Sequence, residues 1–175
     1  MQKSYKELMN GITTFIFDLD GVLTNGLIHI TSEGELLRTM YIRDGYAMKT
    51  AVDNGYKVCV ISGGSNQGVK VRLNNLGVTD VYLDIPDKIA VYNQYVTSNG
   101  LSREQVLYMG DDLPDYHVMK RCGLAACPQD AAPEIKSISH YVSHKKGGEG
   151  AVRDVIEQVL KNDGKWMSNY NAQLD

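Results

Sequence analysis

A chain of 175 residues is long enough for one domain with a proper core and too short for two comfortable ones. Its 43% hydrophobic and 22% charged residues are ordinary for a globular protein, and a net charge of −3 excludes a general field for nucleic acid or other polyanions. No run approaches the roughly 18 apolar residues of a membrane span, and the opening MQKSYKELMNGI lacks the apolar core of a secretion signal. Cys59, Cys122 and Cys127 are odd in number and form no CxxC pair, so they predict reduced thiols in a cytoplasmic protein.

TFIFD predicts the first strand. It runs into two aspartates, Asp18 and Asp20, and then a glycine. A buried charge costs several kcal/mol unless something compensates it, so a ligand that wants negative oxygen is expected there. Residues 27–42, LIHITSEGELLRTMYI, read as two strands around the turn TSEG. Such a projecting hairpin exposes apolar residues and backbone donors, and a second copy of the chain is its simplest cover. DGYAMKTAVDNGY then has helical spacing, with Gly55 suited to the helix C-terminus. KVCVIS is a strand, with Cys59 in its core, and NQGVKVRLNNLG a helix ending at Gly77. VYL is a brief strand, DKIAVYNQYVTSNG a helix and VLYMG a strand. PDYHVMKRCG is a helix, LAACP a strand, APEIKSIS a short helix and YVSH a weak strand. GAVRDVIEQVLKNDG is the last clear helix, and the tail over about 165–175 reads as poorly anchored or docked on a partner. Short apolar runs separated by helices indicate a parallel sheet buried on both faces, a Rossmann-like α/β fold.

In such a sheet the ligand crevice lies beyond the carboxyl ends of the strands. The polar residues fall there together. Asp18 and Asp20 follow the first strand, and Ser62 and Gly63 the second; Asp111, Asp112 and Asp115 follow VLYMG, and Lys88 opens a helix after the third strand. Three carboxylates make a hard-oxygen site that suits Mg²⁺. A hydroxyl, an ammonium and free backbone N–H groups suit a phosphate. A carboxylate beside a phosphate needs a cation between them, so metal and phosphate explain each other. The expected reaction is phosphoryl transfer to Asp18, giving an aspartyl-phosphate that water hydrolyses. Asp20 protonates the leaving sugar oxygen and then activates the water.

FDLDGVLT, ISG, the lysine of DKI and GDDLPD resemble the four motifs of the haloacid dehalogenase superfamily of phosphohydrolases. FDLDGVLTNG, IRDGYAMK, YMGDDLPDYHVMKRCGL, DAAPEIKSISHYVS and GGEGAVRDVIEQVL narrow the resemblance to its capless 3-deoxy-D-manno-octulosonate 8-phosphate (KDO 8-phosphate) phosphatase family. The resemblance implies a Mg²⁺-dependent enzyme of lipopolysaccharide precursor synthesis, working as a homotetramer built by the hairpin. Only about 40 residues separate Asp20 from Ser62, which leaves no room for a cap domain and makes residues 1–175 a single phosphatase domain. It further implies Asp18, the Asp20 carbonyl and Asp111 as metal ligands, Asp112 and Asp115 as support, and Ser62, Gly63 and Lys88 on the phosphate. Arg43, Asp44, Gly45, Lys49 and Arg72 match substrate-contacting positions, and Gly147 to Gly150 match a segment that reaches a neighbouring subunit's site. His29, His117, His140 and His144 show no ligand spacing and read as structural or surface residues.

The chain departs from that pattern at Gly64, where many relatives carry an arginine that helps bind the sugar acid. Lys49, Arg43 or a neighbouring subunit is expected to supply that charge instead. A phosphatase for a nine-carbon sugar-acid 9-phosphate or another sugar phosphate is the alternative. A non-catalytic tetramerising scaffold is less consistent with the presence of Asp18, Asp20, Lys88 and Asp111 together.

Overall fold

The computed structural model describes residues 4–167. Six strands form one all-parallel sheet: β1 (Thr14–Phe17), β4 (Lys57–Ile61), β5 (Asp80–Tyr82), β6 (Val106–Met109), β7 (Leu124–Cys127) and β8 (Tyr141–Val142). Their order is β5-β4-β1-β6-β7-β8. The chain therefore builds outward from β1 on one side, returns, and builds outward on the other. β1 lies at the switch point, where an open α/β sheet parts its loops to form a crevice.

Alternation along each strand divides the core in two. Phe15, Phe17, Val58, Val60, Leu107 and Met109 face one layer. Ile16, Cys59, Ile61, Val106 and Tyr108 face the other. The first layer is covered by α2 (Ile42–Asp53), α3 (Gln67–Asn75) and α7 (Ala151–Asn162), the second by α4 (Lys88–Ser98), α5 (Tyr116–Met119) and α6 (Pro133–Ile138). Both faces are buried, which is why the strands read as near-continuous apolar runs.

The elements expected from the sequence are present, with local differences. The hairpin pairs over only two residues a strand, β2 (His29–Ile30) with β3 (Leu36–Leu37), and Ile42 belongs to α2 rather than to the hairpin. The segment after β6 is shorter than expected, a 3₁₀ turn over Leu113–Asp115 followed by the four residues of α5. An N-terminal helix, α1 (Tyr5–Met9), was not expected; its Ser4–Glu7 capping box was the available signal. The tail from 165 is not loose at its start. Trp166 packs edge-on against Tyr46 and beneath the Arg153 guanidinium, and Lys165 lies 4.6 Å over the Tyr56 ring. Residues 168–175 lie outside the described residues.

Asp44 ties α2 to α7. Its carboxylate is 1% exposed, and Oδ1 accepts the Arg153 backbone N–H at 2.7 Å. Oδ2 has no hydrogen-bond partner. Burial outweighs the hydrogen bonds from the start of α7 and raises the pKa from 3.8 to about 6. The folded chain thus holds this proton more tightly than the unfolded one. That contribution is fully present below pH 3.8 and lost as pH rises through about 6. Acidification from neutral pH should recover on the order of 2–3 kcal/mol through this group. Asp44→Asn should lack that gain when urea unfolding of both proteins is followed between pH 7 and pH 4; identical pH slopes would show that the carboxyl does not titrate this way.

Candidate active site

β1, β4 and β6 all end at one cleft of about 660 Å³. Asp18, Asp20, Ser62, Gly63, Lys88, Asp111, Asp112 and Asp115 all line it, as the strand-end argument expects. The other expected substrate residues fall elsewhere within the chain. Arg43 is exposed on the first turn of α2, and Asp44 is the buried cap just described. Lys49 pairs with Asp53 one turn on at 3.4 Å. Gly45 packs under Arg72, with room for a Cβ only 3.0 Å from Nη2. Arg72 lines a second cleft of about 340 Å³, with Arg38 and Asn66.

The centre of the main cleft is an ammonium between two carboxylates. Lys88 Nζ lies 2.8 Å from Asp18 Oδ1 and 2.8 Å from Asp115 Oδ1, and the three side chains are almost wholly buried. Tyr108 donates to Asp115 Oδ1 at 2.6 Å, and the Asp111 N–H donates to Oδ2 at 3.1 Å. With three donors already on it, Asp115 acts as the fixed anchor for Lys88. Burial opposes the Lys88 charge, but Asp18 and Asp115 outweigh it and raise its pKa.

Asp18 and Asp111 are left with an excess of negative charge. Burial first, and Asp115 second, push Asp18 up to about 7 against the pull of Lys88. Burial and the Asp18 charge push Asp111 up to about 7 as well. Oxygens of Asp18, Asp111 and Asp115 can lie within 4.8 Å of one another. With Asp115 taken by Lys88 and Tyr108, Asp18 and Asp111 are the two carboxylates that fit a hard divalent cation. Asp112 accepts the Leu113 N–H at 2.8 Å and shapes the turn that carries Asp111.

Ser62 Oγ accepts the Gly64 N–H at 3.0 Å, leaving its own proton for an anion in the cleft. The loop after β1 is folded about Thr24, whose Oγ1 accepts from Gly21 and Gly26 and donates to Asp20 at 3.4 Å. Gly147 and Gly148 close on that loop from outside. The Gly148 N–H donates to the Val22 carbonyl at 2.9 Å, and the Gly21 carbonyl fills the space a Cβ at Gly147 would need. These glycines thus clamp the loop after β1 of their own chain.

Sequence reasoning missed three residues here. His117 lines the cleft, and Tyr108 holds Asp115 from inside a strand that reads as pure core. Arg38, in the hairpin, forms a two-pronged pair with Asp20: Nε to Oδ1 at 2.8 Å and Nη2 to Oδ2 at 3.0 Å.

A family model described as haloacid dehalogenase-like hydrolase matches residues 80–156. The 3-deoxy-D-manno-octulosonate 8-phosphate phosphatase of Yersinia pestis is 38% identical over 149 residues, 85% of this chain and 80% of that protein. The chain belongs to this haloacid dehalogenase-like phosphatase family. A crystal structure of the Yersinia pestis family member superposes with a TM-score of 0.91 at 35% identity, covering 94% of this chain and 89% of that one. The Moraxella catarrhalis family member, solved in complex with magnesium ion, phosphate ion and KDO, gives a TM-score of 0.87 at 29% identity, covering 90% and 91%.

A metal ligand must be deprotonated, so carboxyls raised to about 7 make cation binding pH-dependent. Calorimetric Mg²⁺ titration should show tighter binding at pH 8 than at pH 6, with proton release at the lower pH. Affinity independent of pH would mean that Asp18 and Asp111 are not the ligands.

Proposed function

We propose that the chain is a Mg²⁺-dependent phosphatase that releases phosphate from KDO 8-phosphate through an aspartyl-phosphate. One observation carries the reading: Asp18, the first residue after the central strand, faces Lys88 and Asp111 in an open cleft. Membership of the family and its KDO-bound member support the substrate. The reading takes residues 1–175 as a single domain.

Asp18 attacks phosphorus while Asp20 delivers a proton to the leaving sugar oxygen, and the P–O ester bond breaks. Asp20, now a carboxylate, takes a proton from water as that water attacks the aspartyl-phosphate. Phosphate leaves and Asp18 is restored. Ser62 and Lys88 hold the phosphoryl oxygens, and Lys88 is itself held by Asp115. Asp18, Asp111 and the Asp20 carbonyl would hold magnesium, which would supply positive charge at the transferring group.

Two further features belong to the reading. Leu27, Ile30 and Leu37 of the hairpin are 66%, 73% and 47% exposed, which supports a homotetramer in which a neighbour covers this surface and closes the cleft. All three cysteines are buried and unpaired, which suits a cytoplasmic enzyme, and no helix among the described residues is long and apolar enough to cross a membrane.

Asp18→Asn should abolish turnover while leaving the melting transition in place; full activity would overturn the aspartyl-phosphate route. Among KDO 8-phosphate, a nine-carbon sugar-acid 9-phosphate, arabinose 5-phosphate and an aryl phosphate, the eight-carbon acid should lead in kcat/KM by roughly 100-fold, about 2.7 kcal/mol. A lead for the nine-carbon acid would keep the chemistry and change the substrate. Ile30→Asp should lower the mass measured by light scattering, and an unchanged mass would remove the hairpin from the interface.

A further inference from the structure

Arg38 occupies an unusual place. It comes from the end of the hairpin, yet its side chain is only 3% exposed and lies on the catalytic loop. Its fork engages both oxygens of Asp20, and Nη1 donates to the Leu36 carbonyl at 3.2 Å. Gly64 makes the placement possible. A Cβ there would stand 2.6 Å from Asp20 Oδ2 and 2.9 Å from Arg38 Nη2. A side chain at position 64 would force Arg38, Asp20 or both to shift, so the pair as it stands depends on the glycine.

The two-pronged pair holds both oxygens of Asp20 toward Arg38, so it must open for Asp20 to turn to the leaving oxygen. When it opens, a guanidinium whose side chain is otherwise covered is left needing another anion. The sugar acid brings such an anion, a carboxylate at the end remote from its phosphate. There is space to receive it. Arg38 stands between the catalytic cleft and the second cleft, which it lines with Arg72. A planar fork suits a carboxylate in two-pronged contact.

We propose that Arg38 is the specificity residue for the substrate's carboxylate, and that it exchanges partners: Asp20 in the free enzyme, the sugar-acid carboxylate in the complex. This rests on the sugar-acid phosphate reading given above. The exchange makes Asp20 available when a substrate of the right charge has arrived. It also places the recognising cation on the hairpin, instead of on the loop after β4 or on Lys49.

The test is a kinetic comparison of KDO 8-phosphate with arabinose 5-phosphate, which lacks a carboxylate, in the full-length enzyme with Mg²⁺. Arg38→Met should lower kcat/KM for the acid roughly 30-fold more than for arabinose 5-phosphate, the size of one charge-assisted contact. The loss should fall mainly on KM. Arg38→Lys, which keeps the charge and loses the fork, should lie between. Gly64→Arg placed on Arg38→Met should restore part of the preference, since a guanidinium from position 64 would enter the vacated space. Equal losses on the two substrates, or none, would overturn the proposal, as would a double variant with no recovery in a protein that melts normally. A wild-type enzyme with no preference for the acid would instead remove the sugar-acid reading, and this inference with it.

Discussion

One ammonium holds the site together. Lys88 sits between Asp18 and Asp115 with almost no access to solvent, so each charge there depends on the others. Without the lysine, two buried carboxylates would face each other. Without Asp115, Lys88 would have only Asp18 as partner and no fixed position. The sheet makes the arrangement possible: β1 lies between β4 and β6, and α4, which begins at Lys88, brings the ammonium across the same strand ends. Asp111 adds negative charge that this ammonium does not cover. That remaining imbalance makes the cleft receptive to a divalent cation and, through it, to a phosphate.

Much of this was legible in the chain. Strand runs ending in Asp18, Ser62 and Asp111 locate a crevice by topology alone, because parallel strands bring all their carboxyl ends to one edge. The helices followed from apolar spacing and from glycines at their ends. What periodicity cannot carry is the direction of a single polar atom. Tyr108 alternates correctly as a core residue, and nothing in its spacing announces a hydroxyl aimed at Asp115. Asp44 lies in a segment that resembles a substrate loop, yet its carboxylate serves the backbone of α7. The resemblance implied that the glycines at 147 and 148 reach a neighbouring subunit's site; within their own chain they close on the loop after β1.

Arg38 illustrates the limit most clearly. A hairpin paired over two residues a strand has too short a repeat to fix where its side chains point. The clue lay instead in an absence: Gly64 stands where a longer side chain would exclude a neighbour. A glycine in a catalytic loop can thus mark space occupied from elsewhere in the chain. Lys49 and Arg43, which the resemblance offered with a neighbouring subunit as replacements, pair with Asp53 and face solvent respectively within this chain.

The clamp of Gly147 and Gly148 on the loop of Gly21 to Asn25 also bears on the order in which the enzyme is made. β1 and its aspartates leave the ribosome before the backbone that packs over their loop, which lies far downstream in the sequence. β6, which fixes Asp111, also arrives well after β1. A nascent chain therefore carries Asp18 long before it can hold that side chain in its place in the cleft. The cleft takes its final form only when this long-range contact closes, so a product lacking Gly147, Gly148 and α7 would bear Asp18 and Asp20 without the backbone that holds their loop.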